Sequence, residues 1–294
     1  MAGTKDLGVK RNILGAAFGA ILMVAGAASS CFADPSSVAV SEDMLANEAN
    51  DPVATLTQLQ LKDEYTPAEY GTNAQPNTVQ FRSVFAVRPH LFTPLEQLIR
   101  PTIQVVTVPR NGKTASITTA LDDIQLLDLV VMPFPDTKKT GFRWGIGPNF
   151  VFPTSTSQFT GKGAWQVGPA LGFAWQLDRL KFAWLFQQST SFAYTSSHSV
   201  SVASIQIQPL LTFDLGRGWY LKSSDANWRI NFRHNSSTEI PLSVGLGKVL
   251  NIGEGASINA AVSGEWMAYR QFSSQTEQFT LNFQISLLLP QLEI

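Results

Sequence analysis

The chain has 294 residues, of which 15% are charged and 44% hydrophobic, and its formal net charge is −1 at pH 7. The charged fraction is below the ~25% usual in soluble domains, yet the mean hydropathy is only +0.04. After the N-terminal region, no apolar run reaches the ~18 residues that a transmembrane helix needs, and without a basic excess a nucleic-acid partner is not expected. Low charge with mild hydropathy favours a membrane β-barrel, because its strands are only half apolar.

Residues 1–33 predict a secretory signal peptide. Basic residues precede an apolar core at residues 13–28, and small residues precede a cut before Asp34. The segment holds three of the 21 basic and one of the 22 acidic residues, which leaves the mature chain at −3. Cys31 is the only cysteine, so no disulfide is expected in the mature chain. Lipid modification of Cys31 is the alternative at this site.

Residues 34–55 are polar and predict a periplasmic N-terminal segment, either a short helix or a disordered lead-in, and residues 56–294 predict the barrel. Apolar and polar residues alternate with a period of two, which is typical of β-strands with one apolar face. The alternating stretches are residues 58–62, 79–88, 99–105, 143–152, 163–177, 181–194, 205–214, 219–222, 240–247, 258–266 and 278–289. Residues 124–132 are apolar on both faces apart from Gln125 and Asp128, and form a further candidate strand whose facing is open.

The longest alternation, at residues 163–177, has a tryptophan near each end of its apolar column. Trp165 and Trp175 are ten residues apart, about 33 Å at ~3.3 Å per residue. Tilted by about 40°, this length projects to the ~25 Å height of a transmembrane barrel's apolar band. We therefore predict that this strand spans a membrane with a tryptophan in each headgroup layer.

Connection lengths predict the orientation of the barrel. Residues 133–140, 177–179, 215–218 and 251–255 are short connections, which alternate with longer ones at residues 62–77, 107–121, 153–162 and 224–239. Short turns are typical of the periplasmic side and long loops of the outside. The prediction is an all-β, antiparallel up-and-down transmembrane barrel of about twelve strands, in which residues 121–132 and 223–239 leave the count open.

The same orientation sorts the tryptophans between the two rims. Those predicted near the periplasmic rim are Trp144, Trp175, Trp184 and Trp219, and those nearer the outer rim are Trp165, Trp228 and Trp266. The alternative fold is a secreted soluble sandwich or lipocalin-like barrel with the apolar column inward. That alternative would expose a face of mostly Gly, Ala and Gln to water.

Residues 141–173 (GFRWGIGPNFVFPTSTSQFTGKGAWQVGPALGF) resemble a family of Gram-negative outer-membrane barrels described as transporters of the phenol-degradation meta-pathway, sometimes labelled neuromedin U. The resemblance continues at residues 207–220 and 240–249. It implies an outer-membrane barrel that passes small solutes, aromatic ones among them, and it implies no catalytic residues. The ending LLLPQLEI departs from the terminal aromatic residue of many outer-membrane proteins.

Strand parity points one set of polar side chains into the barrel, where they are predicted to line a pore. The set is Arg82, Arg88, Arg100, Arg143, Asn149, Gln166, Gln176, Lys181, Gln187, Gln206, Gln208 and Gln284. Charged rings and hydrogen-bond donors set the selectivity of pores. The equal alternative is that these charges pair with acids such as Asp214 and Glu265 and fill a narrow interior.

One catalytic alternative rests on His234 and Ser236, whose spacing puts an imidazole and a hydroxyl on one face of a strand. This stretch resembles the His-x-Ser of outer-membrane lipid hydrolases, with Glu239 placed to orient the histidine. The chain's histidines, His90, His198 and His234, show no metal-ligand spacing, so neither a metal nor another cofactor is expected.

The sequence thus predicts a channel or carrier in the bacterial outer membrane, in contact with outer-membrane lipids, for passive uptake of small polar or aromatic solutes, and not an enzyme. The alternatives are a lipid hydrolase and a structural barrel without transport. An ordered segment 34–55 inside the barrel would favour the structural barrel. The solute and the oligomeric state stay open.

Overall fold

A computed structural model describes residues 41–109, 117–132, 141–196, 198–223, 226–233, 236–253, 255–272, 276–290, 292 and 294. The predicted signal peptide lies outside the described residues. Within these residues, one helix, α1 (Glu42–Ala49), precedes fourteen strands. In the described part of the chain, no helix is long and apolar enough to cross a membrane.

The strands follow one another along the chain and pair antiparallel. They are β1 (Thr57–Tyr70), β2 (Asn77–Val87), β3 (Gln97–Pro109), β4 (Ile117–Leu121), β5 (Ile124–Val131), β6 (Phe142–Phe152), β7 (Ala164–Leu177), β8 (Leu180–Tyr194), β9 (Ala203–Gly216), β10 (Trp219–Ser223), β11 (Trp228–Asn231), β12 (Thr238–Gly253), β13 (Ala256–Gln271) and β14 (Thr276–Leu289).

The sheet closes on itself, because β1 pairs with β2 on one side and with β14 on the other. Two positions in the wall are each shared by two short strands. β4 and β5 both pair with β3, and β10 and β11 both pair with β9 and β12. Fourteen strands therefore fill twelve positions, which confirms the predicted twelve-stranded barrel.

Both interruptions fall where the sequence left the strand count open. At the first, the backbone between β4 and β5 leaves the ladder, and the buried Asp123 accepts the Ser155 N–H at 3.2 Å and the Lys162 N–H at 2.8 Å. The connection between β6 and β7 is thereby fastened to the break. Because Asp123 binds the amides of this connection, the residues around it do not follow the alternation of apolar and polar side chains that marks a strand.

The two ends of the barrel differ. The end where β1 begins and β14 finishes, here called the terminal end, carries two-residue turns between β7 and β8, β9 and β10, and β12 and β13. At the opposite end β1 runs on to Tyr70, so the loop predicted at residues 62–77 is largely strand. The predicted loop at residues 224–239 likewise contains β11. Polar strand ends beyond the apolar band lose the alternation that sequence analysis relies on.

Candidate functional site

The barrel has a polar interior and an apolar exterior. On β14, Thr280 and Asn282 are buried, whereas Phe283 is 52% exposed. Val244 on β12 is 54% exposed and Trp175 on β7 is 48% exposed, although both are apolar. This reverses the pattern of a soluble protein and suits a lipid surround. The alternative of a soluble barrel with an inward apolar column is therefore wrong.

The structure places the side chains that parity directed inward at three levels of burial. The buried ones are Arg100, Asn149, Gln166, Lys181, Gln187, Gln208 and Gln284. The partly buried ones are Arg82, Arg143, Gln176 and Gln206, and Arg88 is exposed. Their part in lining a conducting pore stays a prediction.

Two members of that set lie at the terminal end. Arg88 follows the last residue of β2, and its backbone N–H donates to the Ile294 carbonyl at 3.0 Å. Gln176 donates through its side-chain amide to the Asp178 carbonyl at 2.6 Å. Gln176 therefore braces the β7–β8 turn.

Residues 41–56, here called the plug, lie inside the barrel at its terminal end. The N-cap of α1 is Ser41, whose hydroxyl accepts the Met44 N–H at 3.2 Å. Glu42 and Asp43 occupy the first turn, where acidic side chains interact favourably with the helix dipole. Local sequence thus specifies this short helix, and the wall stabilises it.

Apolar contacts hold the plug against opposite parts of the wall. One cluster joins Val53 to inward residues of six strands: Val84, Leu98, Leu127, Leu129, Ala170, Ala174, Ala183, Leu185 and Leu210. The second cluster joins the plug residues Leu45, Ala46, Ala49, Ala54 and Leu56 to Tyr220, Val249 and Leu288. The polar lining is therefore replaced by an apolar one where the plug sits.

A buried carboxylate fixes the plug electrostatically. The Asp51 side chain is fully buried, and its Oδ2 lies 2.9 Å from an Arg143 guanidinium nitrogen and 2.8 Å from Lys181 Nζ. Its Oδ1 accepts the Val53 N–H at 2.9 Å. Burial by itself would raise the pKa of Asp51, but the charges of Lys181 and Arg143 and these hydrogen bonds outweigh it and lower the pKa. Asp51 is therefore held ionised.

Further hydrogen bonds join the plug to the wall. Lys181 Nζ donates to the Asn47 carbonyl at 3.0 Å, so one ammonium serves both α1 and Asp51. The Gly218 N–H donates to Asp43 Oδ1 at 2.6 Å, and the Asn251 N–H donates to Glu42 Oε1 at 3.1 Å. The first turn of α1 is thereby tied to the β9–β10 turn and to β12.

A second group of charges is centred on Arg229. Arg229 on β11 approaches Glu239 Oε2 at 3.7 Å and Glu277 Oε2 at 3.4 Å. Arg229 is therefore an inward arginine that acids neutralise. This matches the predicted alternative in which charges pair inside the barrel, although at residues that parity did not single out.

The catalytic alternative gains no geometric support from the described residues. Ser236 is exposed, with a backbone φ of 54°, in the turn between β11 and β12. His234 lies outside the described residues. Over the described ranges, no group of three His, Cys, Asp or Glu side chains could hold a metal ion.

Comparisons with known proteins bear on the fold. No family model and no curated protein sequence matches the chain. Among solved structures, the chain is similar to the COG4313 outer membrane channel from Pseudomonas putida F1, with a TM-score of 0.58 and 11% identity over 81% of this chain and 97% of that one. That likeness extends to nearly the whole channel.

Two porins are more distant. One is a KdgM porin in complex with disordered oligogalacturonate, with a TM-score of 0.42 and 7% identity over 79% of this chain and 98% of that one. The other is an anion-selective porin from Comamonas acidovorans, with a TM-score of 0.33 and 9% identity over 80% of this chain and 98% of that one. The likeness to the COG4313 channel, at 11% identity, shows the fold alone, which is a closed antiparallel β-barrel.

Proposed function

We propose that this protein is an outer-membrane channel for the passive uptake of small polar or aromatic solutes. The observation that carries the proposal is the polar interior within an apolar exterior. A lumen lined by amides, hydroxyls and charges offers polar solutes a path that the lipid does not. The predicted signal peptide supports export, and the barrel architecture supports the outer membrane as its destination.

The plug limits passage in this proposal. Residues 41–56 bridge opposite walls, so the terminal end of the lumen is narrow while the plug is docked. Solute passage therefore depends on the plug moving or on small gaps beside it. The aromatic part of the solute class rests on the resemblance to barrels described as phenol-degradation transporters, and that family label is itself part of the proposal.

The second candidate is a structural barrel without transport. The observation that favours it is the same ordered plug, with its buried Asp51 ion pairs. The two candidates differ in one property, which is whether a folded barrel ever passes solute. A lipid hydrolase that uses His234 and Ser236 has no comparable observation in its favour, and the absence of enzymatic activity stays a prediction.

Liposome swelling tests the proposal. The refolded mature chain is reconstituted into liposomes, and swelling is followed with a series of small sugars, amino acids and phenols. The proposal expects swelling whose rate falls steeply with solute size. Heat-modifiable, folded barrels that admit none of these solutes would favour the structural barrel and overturn the channel.

A further inference from the structure

A small cavity lies between the plug and the inner wall. The volume of the cavity is about 60 Å³. Its lining combines plug residues 49–52 with side chains from β1, β2, β3, β9 and β14. The cavity is therefore a recess in the proposed solute path, directly at the plug.

Two arginines line this recess. Arg100 is only 9% exposed, and its Nε is buried with no hydrogen-bond partner. Arg82 lies close enough for the two positive charges to interact. Within the described ranges, no carboxylate forms an ion pair with Arg100. A buried guanidinium beside a second one is unfavourable unless an anion joins them, because buried charges require a partner.

The carboxylate that lines the recess, Asp51, does not supply that partner. Asp51 is among the lining residues, but its Oδ2 is bound by Arg143 and Lys181 and its Oδ1 accepts the Val53 N–H. Arg229 differs from Arg100, because its charge is neutralised by two glutamates. No acid in the described ranges neutralises Arg100 in this way.

The rest of the lining indicates the chemistry of the missing anion. Val84, Leu98 and Leu210 supply an apolar wall on the same recess. Arginine's planar fork matches a carboxylate in two parallel hydrogen bonds. A carboxylate with a compact apolar body therefore matches both the two arginines and the apolar wall of the recess.

We propose that this recess binds a small monocarboxylate, which Arg100 and Arg82 hold by the carboxylate while Val84, Leu98 and Leu210 contact its apolar part. This inference rests on the proposed channel function. It narrows the solute class of the channel to small monocarboxylates with an apolar body. The recess is then where the solute pauses beside the plug. Arg100 is the residue on which the selection of anions depends most.

Calorimetric titration of the folded mature chain in detergent tests the site without requiring transport. The probes are benzoate, the neutral benzamide and the cationic benzylamine, which share size and shape. We expect benzoate to bind at least about tenfold more tightly than the other two, as charge-assisted hydrogen bonds imply. Equal binding of benzoate and benzamide by the wild-type chain would overturn the proposal.

Two variants separate the recess from general luminal charge. Arg100→Gln is expected to weaken benzoate binding by about tenfold or more. Arg229→Gln removes the same charge from an acid-paired site and is expected to change benzoate binding by less than about twofold, because Arg229 does not line the recess and its charge is already neutralised by Glu239 and Glu277. Equal losses in both variants would contradict a specific site. Arg100→Lys keeps the charge but lacks the fork, so intermediate binding is expected.

Reversal potentials then test the carboxylate site separately from the proposed channel function. In planar bilayers with potassium benzoate opposite potassium chloride, the wild-type chain is expected to favour benzoate and Arg100→Gln to lose that preference. Conductance without any Arg100-dependent preference would refute the carboxylate site and leave the channel intact. Absence of conductance would refute the channel, and the titration would still decide the binding site.

Discussion

Replacing Asp51 by Asn is expected to release the plug while the barrel stays folded. The change removes a fully buried charge that two cations contact, at 2.8 Å from Lys181 and 2.9 Å from Arg143. Removing one partner of a buried pair costs about 3–5 kcal/mol, because the remaining charge is left uncompensated. Lys181 is itself buried, so its charge would be stranded. At ~1.4 kcal/mol per tenfold, the docking equilibrium shifts by roughly two to four powers of ten.

Amide hydrogen exchange of the folded chain in detergent measures this shift. In the wild-type chain, the Leu45 and Ala54 amides donate to plug carbonyls at 3.1 and 3.3 Å and should be protected. Asp51→Asn should lower that protection by the factor above and leave the wall strands unchanged. The matched control is Asp178→Asn, the same chemical change at an exposed turn on the same end. Unchanged plug protection in Asp51→Asn would refute the reasoning.

Three further predictions follow from particular contacts. Because the pKa of Asp51 is lowered in the docked state, its stabilisation of the plug is present above the ordinary value of ~3.9 and is lost as the pH falls through the docked value; the protection factors of the plug amides, taken relative to the intrinsic exchange rate at each pH, should therefore stay constant from pH 8 to 5 and fall in stronger acid. Gly247→Ala would drive a Cβ into the buried Tyr220 ring and should cost about 1–3 kcal/mol in urea unfolding, whereas Gly264→Ala, with the Phe279 ring 3.3 Å away, should cost less. Val244→Arg, on the exposed face near the middle of β12, should destabilise the barrel in vesicles by about 2–4 kcal/mol, whereas Val244→Leu should not, and an equal stability of both would contradict a lipid-facing exterior.

The wall of the barrel could be predicted from the sequence because lipid outside and polar groups inside impose a period of two. The two interrupted positions could not, since β4–β5 and β10–β11 each break the alternation within a few residues. The tryptophan sorting shows the consequence. Trp184 and Trp228 were predicted at opposite rims, but their ring centroids lie 5.6 Å apart. The break before β11 makes the height of Trp228 impossible to count from Trp219.

The plug was the main feature that the sequence left undecided. Residues 124–132 are largely apolar on both faces because Leu127 and Leu129 face inward and join the cluster around Val53, while Leu126 and Val130 lie on the other face. The apolar inward residues were visible in the sequence. They could not be interpreted, because the alternation expected of a barrel strand assumes polar side chains on its inner face. Arg143 and Lys181 both contact Asp51, which is 92 residues away from Arg143 in sequence. No local pattern links residues at that distance.

The most direct test of the central claim, a channel limited by its own plug, is single-channel conductance of the refolded mature chain in planar bilayers beside Asp51→Asn. The account predicts small or infrequent openings for the wild-type chain. It predicts larger, longer-lived openings for the variant, because the substitution removes the buried ion pairs that hold the plug in place. A folded, heat-modifiable barrel that stays silent in both forms would contradict the claim and identify the chain as a structural barrel.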